Sequence, residues 1–361
     1  MLRNNRSEDT PPNTSYTTFD YISHIYLINL LKKEHILILE PTKYSEEALK
    51  IYNSLGAVYH YNCAPNELQN KDQITIIVCR LNYYIGPQLL SEFPNIRYIV
   101  SPTTGLNHIN AAYCEEHHIK IISLKGETAF LDTIRSTSEL TFSLMLALVR
   151  NIVPSVKSVL LKHEWNRDAF RGRELSSMTL GLLGFGRIGR HMAQYAEVFG
   201  MSVIVCDPFI DKNIFLKFNV HFCSKERLFS NADIVSIHVD YRLENKYLVT
   251  RNDFKRMGIG KYLVNTSRGE LISEKDIIWA LEKGVLAGAA LDVLTDEQMS
   301  KDFFNKKIID YATKHENLLI TPHIGGCTKD AMTNTEIFMA KKLRSIIQNQ
   351  HSKSKEEVFV Q

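Results

Sequence analysis

Short apolar runs separated by helix-like segments dominate the chain from His35 onwards. The first run, HILILEP, is typical of a buried strand, and SEEALKIYNSLG after it has a Ser that can cap a helix and a Gly that can stop one. Three more apolar runs follow, with helix or loop segments between them: ITIIVCR, IRYIVSP and IKIISL. Strands that alternate with helices indicate a parallel sheet covered on both faces.

A second, longer series begins near Met178, after a predicted helix at 136–152. Its predicted strands are TLGLLGF, SVIVCD, VHFC, IVSIHV, KYLVNTS, AGAALDV and LLITP. This alternation is typical of a doubly wound nucleotide-binding domain. The amphipathic stretch 333–348 has apolar residues at helical spacing, so we expect it to pack back on the first series.

The predicted fold class is therefore α/β, with two Rossmann-like domains of doubly wound parallel sheet and a cleft between them. We expect the first domain to comprise 21–130 plus 324–361, and the nucleotide-binding domain to comprise 131–323. Residues 1–20 are polar with little to bury and predict a flexible tail, and 350–361 predict a second polar tail.

Composition narrows the class of protein. The chain has 361 residues, 44% hydrophobic and 23% charged, which is enough for two globular domains. The net charge is only +3 and the cations are scattered, which argues against nucleic acid as a partner. The N-terminus lacks the apolar core of a secretory signal, and the most apolar helical run, 140–149, is too short to span a bilayer.

The cysteines point to the compartment. They are spread widely, with no CxxC pair and no His/Cys cluster at metal-ligand spacing, so we expect neither disulfides nor a metal site. Free thiols in a reducing cytoplasm, away from any membrane, are the favoured interpretation. The six cysteines are Cys63, Cys79, Cys114, Cys206, Cys223 and Cys327.

The strand TLGLLGF runs into a glycine motif, Gly184-Phe-Gly186-Arg-Ile-Gly189, which opens a predicted helix. In this context Gly184 permits a tight turn, Gly186 lets the backbone approach a pyrophosphate, and Gly189 lets helix and strand pack closely. The helix N-terminus, with Arg187 and Ile188, offers unpaired N–H groups to phosphates. A glycine turn between strand and helix without any ligand is the alternative.

The next predicted strand ends in Asp207, 18 residues after Gly189. A carboxylate at that position accepts hydrogen bonds from the adenosine ribose and repels a 2′-phosphate, so the predicted cofactor is NAD rather than NADP. Asp207 could instead be a turn residue before Pro208.

Three polar residues follow predicted strands, where open α/β sheets bind ligands. Oxidation of a 2-hydroxy acid needs a cation for the carboxylate, a base for the hydroxyl and a group that orients the base. Arg268 can supply the first and His323 the second, and a Glu297 carboxylate on the His323 ring would fix its tautomer. Taken singly, they could equally be a surface cation, a satisfied core histidine and a solvated loop acid.

These motifs together resemble the D-isomer-specific 2-hydroxyacid dehydrogenase family, which includes D-3-phosphoglycerate, D-lactate, glycerate and formate dehydrogenases. The likeness runs from about His35 to about Ile346. The segments that carry it, in family order, are GLLGFGRIGR, the strand-end Asp207, NTSRGELISEKDIIWAL, LAGAALDVLTDE and TPHIGG.

The resemblance implies a role for each matching position. Arg268, Glu297 and His323 match the family's catalytic set. In the loop SPTTGLNHIN, backbone N–H groups would hold the substrate carboxylate around Thr104, Gly105 and Leu106, and Arg80 would either reach a distal substrate group or end a strand structurally. The positions that would line the cofactor are His238, Thr266, Asp292 and Gly326. Asp292 is expected to meet the carboxamide, whereas His238 could simply cap a strand.

Three positions depart from the family pattern: Gln298 replaces a Pro, Asn110 replaces an Asp and Cys327 replaces a Ser or Ala. The stretch 298–317 is also longer and more charged than in many relatives, so the sequence leaves open which acid is the substrate. The resemblance further implies a homodimer joined through the nucleotide domains, for which the apolar run 140–149 would suit either core or interface. No C-terminal regulatory domain is expected.

The predicted function is hydride transfer between the nicotinamide of NAD and C2 of a small D-2-hydroxy acid or 2-keto acid. The first predicted domain would then bind the substrate and the second NAD. One alternative is an NAD-sensing binding protein of the corepressor kind on the same fold, although no partner-recruiting surface is evident. Another is an enzyme of this fold that acts on formate or phosphite. Turnover of a 2-keto acid separates the enzyme from the binding protein.

Overall fold

The computed structural model describes residues 34–61, 68–210, 214, 217–297 and 303–359, the last nine of these as backbone only. The tail predicted at 1–20 and the first part of the domain predicted from residue 21 lie outside the described residues. So does Gln298.

The first part of the chain forms a parallel five-stranded sheet, in the order β2-β1-β3-β4-β5. Its strands are β1 Glu34–Ile38, β2 Gly56–His60, β3 Ile76–Val78, β4 Tyr98–Ser101 and β5 Lys120–Ser123. The helices between and after them are α1 Glu46–Leu55, α2 Pro87–Leu90, α3 Ala111–Glu116 and α4 Thr128–Leu131.

The helix α1 begins and ends where the sequence predicts. Ser45 accepts a hydrogen bond from the Ala48 N–H, and the helix ends before Gly56. The strand β2, however, was not predicted. It starts at the residue that ends the helix and lies at the sheet edge with only partly buried side chains, so GAVYH lacks the apolar run of a central strand.

The second part forms a parallel seven-stranded sheet, in the order β12-β11-β10-β9-β6-β7-β8. Its strands are β6 Thr179–Leu183, β7 Ser202–Cys206, β8 His221–Phe222, β9 Ile234–Ile237, β10 Lys261–Asn265, β11 Leu286–Leu291 and β12 Leu318–Ile320. The helices are α5 Ser136–Val149, α6 Ile152–Lys157, α7 Arg187–Val198, α8 Lys225–Asn231, α9 Arg251–Met257, α10 Glu274–Glu282 and α11 Lys307–Lys314. Two parallel sheets with intervening helices confirm the predicted fold class.

The strand order reverses at β6, which pairs with β7 on one side and β9 on the other. Such a switch point opens a crevice beyond the carboxyl ends of the strands, and ligands of open α/β sheets bind there. The glycine motif follows β6 directly, so it lies at this crevice.

The last helix, α12 Lys329–Phe359, returns to the five-stranded sheet. Its Met339, Ala340 and Leu343 are fully buried among side chains of α1 and of the sheet strands. The backbone of the segment predicted as a polar tail, 350–361, continues this helix up to Phe359. We call the five-stranded sheet with α1–α4 and α12 the first layer, and the seven-stranded sheet with α5–α11 the second layer.

The helix predicted at 136–152 begins at Ser136 as expected but ends three residues early, at Val149. It breaks after Val149 at Asn151, which has a left-handed φ of 51°, and α6 starts at Ile152. Within the described residues no single helix is long and apolar enough to cross a membrane. One bent pair, 136–149 with 152–162, passes that test only when its parts, which meet at 63°, are taken together. The first part lies in the core of the second layer.

Candidate active site

The glycine motif forms a tight turn between β6 and α7. Gly184 has a φ of 95°, and a Cβ there would lie 2.7 Å from the His238 carbonyl carbon. A Cβ at Gly189 would lie 2.4 Å from the Gly184 carbonyl oxygen. Gly186 differs, since no described atom lies within 4 Å of its Cβ position. Two of the glycines therefore allow close packing inside the protein, whereas Gly186 faces open space.

The N-terminus of α7 has no side-chain cap in the described structure, because its N-cap residue is Gly186. Arg187 turns back and donates a hydrogen bond to the Ile134 carbonyl at 2.7 Å, and burial lowers the pKa of its guanidinium. Ile188 packs partly buried on the core. The main-chain N–H groups of this helix turn are thus the donors available at the open face, which fits the pyrophosphate of a dinucleotide.

Asp207 follows β7 and lies over the glycine turn. Its Oδ2 accepts a hydrogen bond from the Phe185 N–H at 2.8 Å, and its Oδ1 accepts one from the Phe209 N–H at 3.0 Å. An ionised carboxylate oxygen has two lone pairs, so each oxygen can accept one further bond. The position and the chemistry fit a ribose diol.

Two predicted cofactor-lining residues are engaged within the protein. The Thr266 hydroxyl lies 2.7 Å from the Thr141 hydroxyl and ties β10 to α5. The His238 Nε2 lies 2.8 Å from the Ser236 hydroxyl, and burial lowers the pKa of the imidazole to about 3, so the ring is neutral. The structure therefore gives His238 the strand-end contact that the sequence left open.

Asp292 holds the loop that carries His323. It is 1% exposed, and burial raises the pKa of its carboxyl although the hydrogen bonds that it accepts lower it. Oδ1 accepts bonds from the Thr321 hydroxyl at 2.6 Å and the Ile324 N–H at 2.8 Å, and Oδ2 accepts one from the Gly325 N–H at 2.8 Å. Gly326 follows with no neighbour near its Cβ position among the described atoms.

His323 and Glu297 form a direct pair. The His323 Nδ1 lies 2.6 Å from the Glu297 Oε2, and the Glu297 Oε1 accepts a hydrogen bond from the Leu294 N–H at 2.7 Å. The two side chains are 25% and 21% exposed. His323 also has a left-handed φ of 52°, which costs on the order of 1 kcal/mol in a residue other than glycine. The hydrogen bonds that buried Asp292 accepts from the same loop offset this strain.

Arg268 joins the two layers. Its Nη1 donates a hydrogen bond to the Ser267 carbonyl at 2.6 Å, and its Nε lies 3.4 Å from the Asn107 Oδ1. A Cβ at Gly105 would lie 1.8 Å from the Arg268 Nη2, so only glycine permits this approach. Burial lowers the pKa of the guanidinium, which Glu297 and Glu270 raise. The predicted cation and the predicted substrate loop are therefore in contact.

The loop itself offers unpaired donors. Within the described part of the chain, the N–H groups of Thr104, Gly105 and Leu106 donate no hydrogen bond. Free N–H groups are donors that this loop can offer to an anion. The structure thus brings together Arg268, the loop donors and the His323–Glu297 pair, all at the carboxyl ends of strands.

Comparison with known proteins agrees with this geometry. The model of the D-isomer specific 2-hydroxyacid dehydrogenase NAD-binding domain matches residues 142–325. The chain belongs to this family. The match includes the glycine motif, Arg268, Glu297 and His323, and the family resemblance found in the sequence is confirmed.

Relatives with assigned names differ in what they act on. The chain is 32% identical to D-3-phosphoglycerate dehydrogenase of Bacillus subtilis over 271 residues, which cover 75% of this chain and 48% of that protein. It is 30% identical to hydroxypyruvate reductase of Thermotoga maritima, over 75% of this chain and 84% of that protein. The chain spans 48% and 58% of the lengths of two D-3-phosphoglycerate dehydrogenases that it matches.

The fold also matches solved structures. The crystal structure of D-lactate dehydrogenase from Aquifex aeolicus, complexed with NAD and lactic acid, aligns with a TM-score of 0.74 at 24% identity. The alignment covers 90% of this chain and 98% of that chain. At this identity the likeness establishes the fold alone, with its two parallel sheets and the helices around them.

In this family member, Arg80 is bound inside the first layer. Its Nε donates to the Glu336 Oε1 at 2.9 Å, its Nη2 pairs with the same oxygen, and its Nη1 donates to the Thr42 carbonyl at 3.2 Å. The guanidinium also lies over the Tyr44 ring, 4.9 Å from its centroid. These partners lie in α12 and in the segment between β1 and α1. Among the described residues, no contact joins Arg80 to Arg268.

The structure adds one residue that the sequence prediction missed. His108, at the end of the substrate loop, is 1% exposed, and its Nε2 lies 3.0 Å from the Ser101 hydroxyl. Burial lowers the pKa of its imidazole to about 4, with further contributions from Arg268 and His323. The sequence contained the residue in SPTTGLNHIN but carried no signal of its pairing, because that depends on how the loop folds.

A second missed contact lies in the long stretch 298–317. Lys306 donates a hydrogen bond to the Glu274 Oε1 at 2.9 Å and another to the Thr295 carbonyl. Glu274 also accepts bonds from the Thr295 N–H and hydroxyl. This extended segment therefore anchors the loop that leads to Glu297.

Proposed function

We propose that the protein is an NAD-dependent oxidoreductase that transfers a hydride between nicotinamide and C2 of a small D-2-hydroxy acid or 2-keto acid. The observation that carries the proposal is the 2.6 Å His323–Glu297 pair beside Arg268 and the donor-rich loop. This arrangement provides an acid–base group and a carboxylate anchor, which are the two functions that the reaction requires of the protein.

His323 acts as the acid–base group in the proposal. The Glu297 carboxylate accepts a hydrogen bond from the His323 Nδ1–H, so Nε2 is the nitrogen that would face the substrate. In the reduction direction, an imidazolium gives its Nε2 proton to the 2-keto oxygen. In the oxidation direction, the neutral Nε2 accepts the proton of the 2-hydroxyl, and the Glu297 carboxylate stabilises the charge that develops on the ring.

Arg268 and the loop N–H groups hold the substrate carboxylate. A guanidinium matches a carboxylate in geometry and stays charged at every working pH. The Thr104, Gly105 and Leu106 N–H groups add neutral donors from the opposite layer. Binding from both layers would draw them together and exclude water from the reacting carbon.

NAD, when bound, supplies or accepts the hydride. The free N–H groups at the start of α7 would bind its pyrophosphate and Asp207 its ribose diol, and the Asp207 charge disfavours the 2′-phosphate of NADP. We propose 131–323 as the NAD-binding domain, and the described parts of 21–130 and 324–361 as the substrate domain. The cofactor site would be lined by Thr266, His238, Asp292 and Gly326. Their main contribution would be to its shape.

We also propose a homodimer joined through the second layer. The segment after α5 exposes apolar side chains that a lone subunit would leave in water, among them Leu160, Leu161 and Trp165 at 67%, 72% and 90% exposure. Sedimentation velocity tests this proposal. Wild type should sediment as a dimer and Leu161→Glu as a monomer, whereas a monomeric wild type would contradict it.

The activity is tested by mixing the purified protein with NADH and a panel of 2-keto acids while the absorbance of reduced nicotinamide is followed. The panel contains glyoxylate, pyruvate, hydroxypyruvate, 3-phosphohydroxypyruvate, 2-ketoglutarate and phosphonopyruvate. His323→Gln removes the acid–base group, and His117→Gln makes the same change at an exposed histidine just after α3. We expect turnover with at least one acid, a loss of about 100-fold or more in His323→Gln, and no loss in His117→Gln.

Binding of NADH without turnover of any acid would overturn the dehydrogenase proposal. In that case an NAD-sensing binding protein would become the better interpretation. Equal turnover with NADPH would instead contradict only the preference for NAD.

A further inference from the structure

Neutral groups of the first layer hold the substrate loop through a chain of three hydrogen bonds. The Thr103 hydroxyl donates to the Gly105 carbonyl at 2.8 Å. The Ser101 and Thr103 hydroxyls lie 2.8 Å apart, and the His108 Nε2 lies 3.0 Å from the Ser101 hydroxyl. We call these three bonds the loop relay.

The direction of each bond in the loop relay follows from its last acceptor. A carbonyl cannot donate, so the Thr103 hydroxyl donates its only hydrogen to the Gly105 carbonyl. Ser101 must then donate to Thr103, and it accepts in turn from His108. The His108 ring therefore carries a hydrogen on Nε2, and the loop conformation itself fixes this tautomer.

The relay also fixes the direction of a donor. In a planar trans peptide the C=O and the next N–H point in opposite directions. Because Thr103 draws the Gly105 carbonyl towards β4, the Leu106 N–H points away from that hydroxyl. Leu106 is one of the loop residues whose N–H has no acceptor among the described residues. Arg268 packs against Gly105 of the same peptide from the second layer.

We propose that His108 is a positioning residue that acts through Ser101 and Thr103 to aim the Leu106 N–H at the substrate carboxylate. This inference rests on the proposed function, because it assumes that the loop binds a carboxylate. His108 itself touches neither substrate nor cofactor.

The electrostatic setting supports this role. His108 is buried next to Arg268 and His323, and both groups oppose a third positive charge there. The ring therefore stays neutral and serves as a hydrogen-bond donor to a hydroxyl. The cations that meet the substrate are then Arg268 and, in the reduction direction, His323.

The test uses the full-length protein and oxalate, a small dicarboxylate that resembles a 2-keto acid, titrated calorimetrically in the presence of NADH. His108→Leu removes the donor at similar volume, and His108→Gln keeps an amide N–H within reach of Ser101. We expect His108→Leu to bind oxalate about tenfold more weakly and His108→Gln to bind within about twofold of wild type. NADH affinity should be unchanged in both.

Steady-state kinetics give a second readout. If the relay positions a binding donor, His108→Leu should raise KM for the keto acid about tenfold while kcat changes by less than about twofold. Thr103→Val breaks the same relay at its other end, so its effect and that of His108→Leu should not multiply in the double variant. If His108→Leu fails to fold, Thr103→Val and Ser101→Ala carry the test.

Three results would overturn the proposal: unchanged oxalate binding in His108→Leu and Thr103→Val, equal losses in the Leu and Gln variants, or effects that multiply in the double variant. Failure of the proposed function is distinguishable. A wild type that binds oxalate through the relay but reduces no acid contradicts the dehydrogenase activity alone. A wild type that reduces an acid while the relay variants match it contradicts the positioning role alone. A wild type that does neither contradicts both.

Discussion

Two loops of the candidate site are held in opposite ways. The loop that carries His323 is fixed by carboxylates, since Asp292 accepts three hydrogen bonds from it and Glu297 pairs with the histidine ring. The loop that ends at His108 is fixed by hydroxyls and a carbonyl. Each contains a histidine near Arg268, yet one ring is paired with an acid and partly exposed, and the other is buried against a neutral partner.

The difference shows how one residue type serves two purposes. A carboxylate beside a histidine ring stabilises the positive charge that the ring carries when it holds a second proton, whereas a histidine buried beside a hydroxyl and a guanidinium stays neutral and acts as a fixed donor. An anionic substrate would also be repelled by a loop held with carboxylates unless cations covered them. The neutral loop can therefore present its N–H groups to a carboxylate without that repulsion.

The largest effect should come from removing the acid of the His323–Glu297 pair. In Glu297→Gln the amide can still contact the His323 ring but no longer stabilises an imidazolium, so we expect kcat to fall on the order of 10³-fold with a small change in KM. Stopped-flow measurement of keto-acid reduction checks this. Glu282→Gln, at an exposed position of α10, is the control, and a kcat near wild type in Glu297→Gln would show that the pair is not catalytic.

The next largest effect should come from the contact between the loops. In Gly105→Ala the added methyl group would collide with the Arg268 guanidinium, so the arginine or the loop must move. A displacement of about 1 Å at a reacting site can cost about 100-fold in rate, and we expect a loss of that order in kcat/KM. NADH titration provides the internal control, because the glycine turn lies elsewhere. A Gly105→Ala enzyme with wild-type kcat/KM would contradict the contact.

The smallest effect should be a loss of stability at low pH that comes from His108, in the loop held by neutral groups. The pKa of His108 is about 4 in the folded protein and near 6.5 in an unfolded chain, so between these values only the unfolded chain takes up the proton. The free energy of unfolding should therefore fall by about 2 kcal/mol from this group as the pH drops from about 7.5 to 4.5. Urea unfolding at both pH values should show a smaller fall in His108→Gln than in wild type. Equal falls would refute this environment for His108.

Much of the fold could be predicted because its signals are local. The glycine motif, the apolar strands and the helix α1 all follow from residues that are close together in the chain. The helix break at Asn151 was missed although Pro154 stands in the first turn of α6, because the left-handed conformation of an asparagine depends on the packing around it. The edge strand β2 was missed because half-exposed strands lack an apolar run.

The site could be predicted only as a set of residues. Their pairings join distant parts of the chain, as when Arg80 binds Glu336 across 256 positions, and no spacing in the sequence reveals such a partner. The loop relay lies within a few residues, but it depends on the conformation of the loop. The hydrogen bonds of Asp292 could not be predicted for the same reason, because their donors lie in a turn that follows another strand.

The return of α12 to the first layer has a consequence for the order in which the protein is made. The second layer is continuous in the chain, whereas the core of the first layer needs Met339 and Leu343, which follow β5 by more than 200 positions. Domains generally fold as units as they emerge from the ribosome. We therefore expect the second layer to be complete before the last helix of the first layer has been made. Hydrogen exchange on chains stalled on the ribosome before α12 emerges should show β6 and β9 protected and β1 and β3 unprotected.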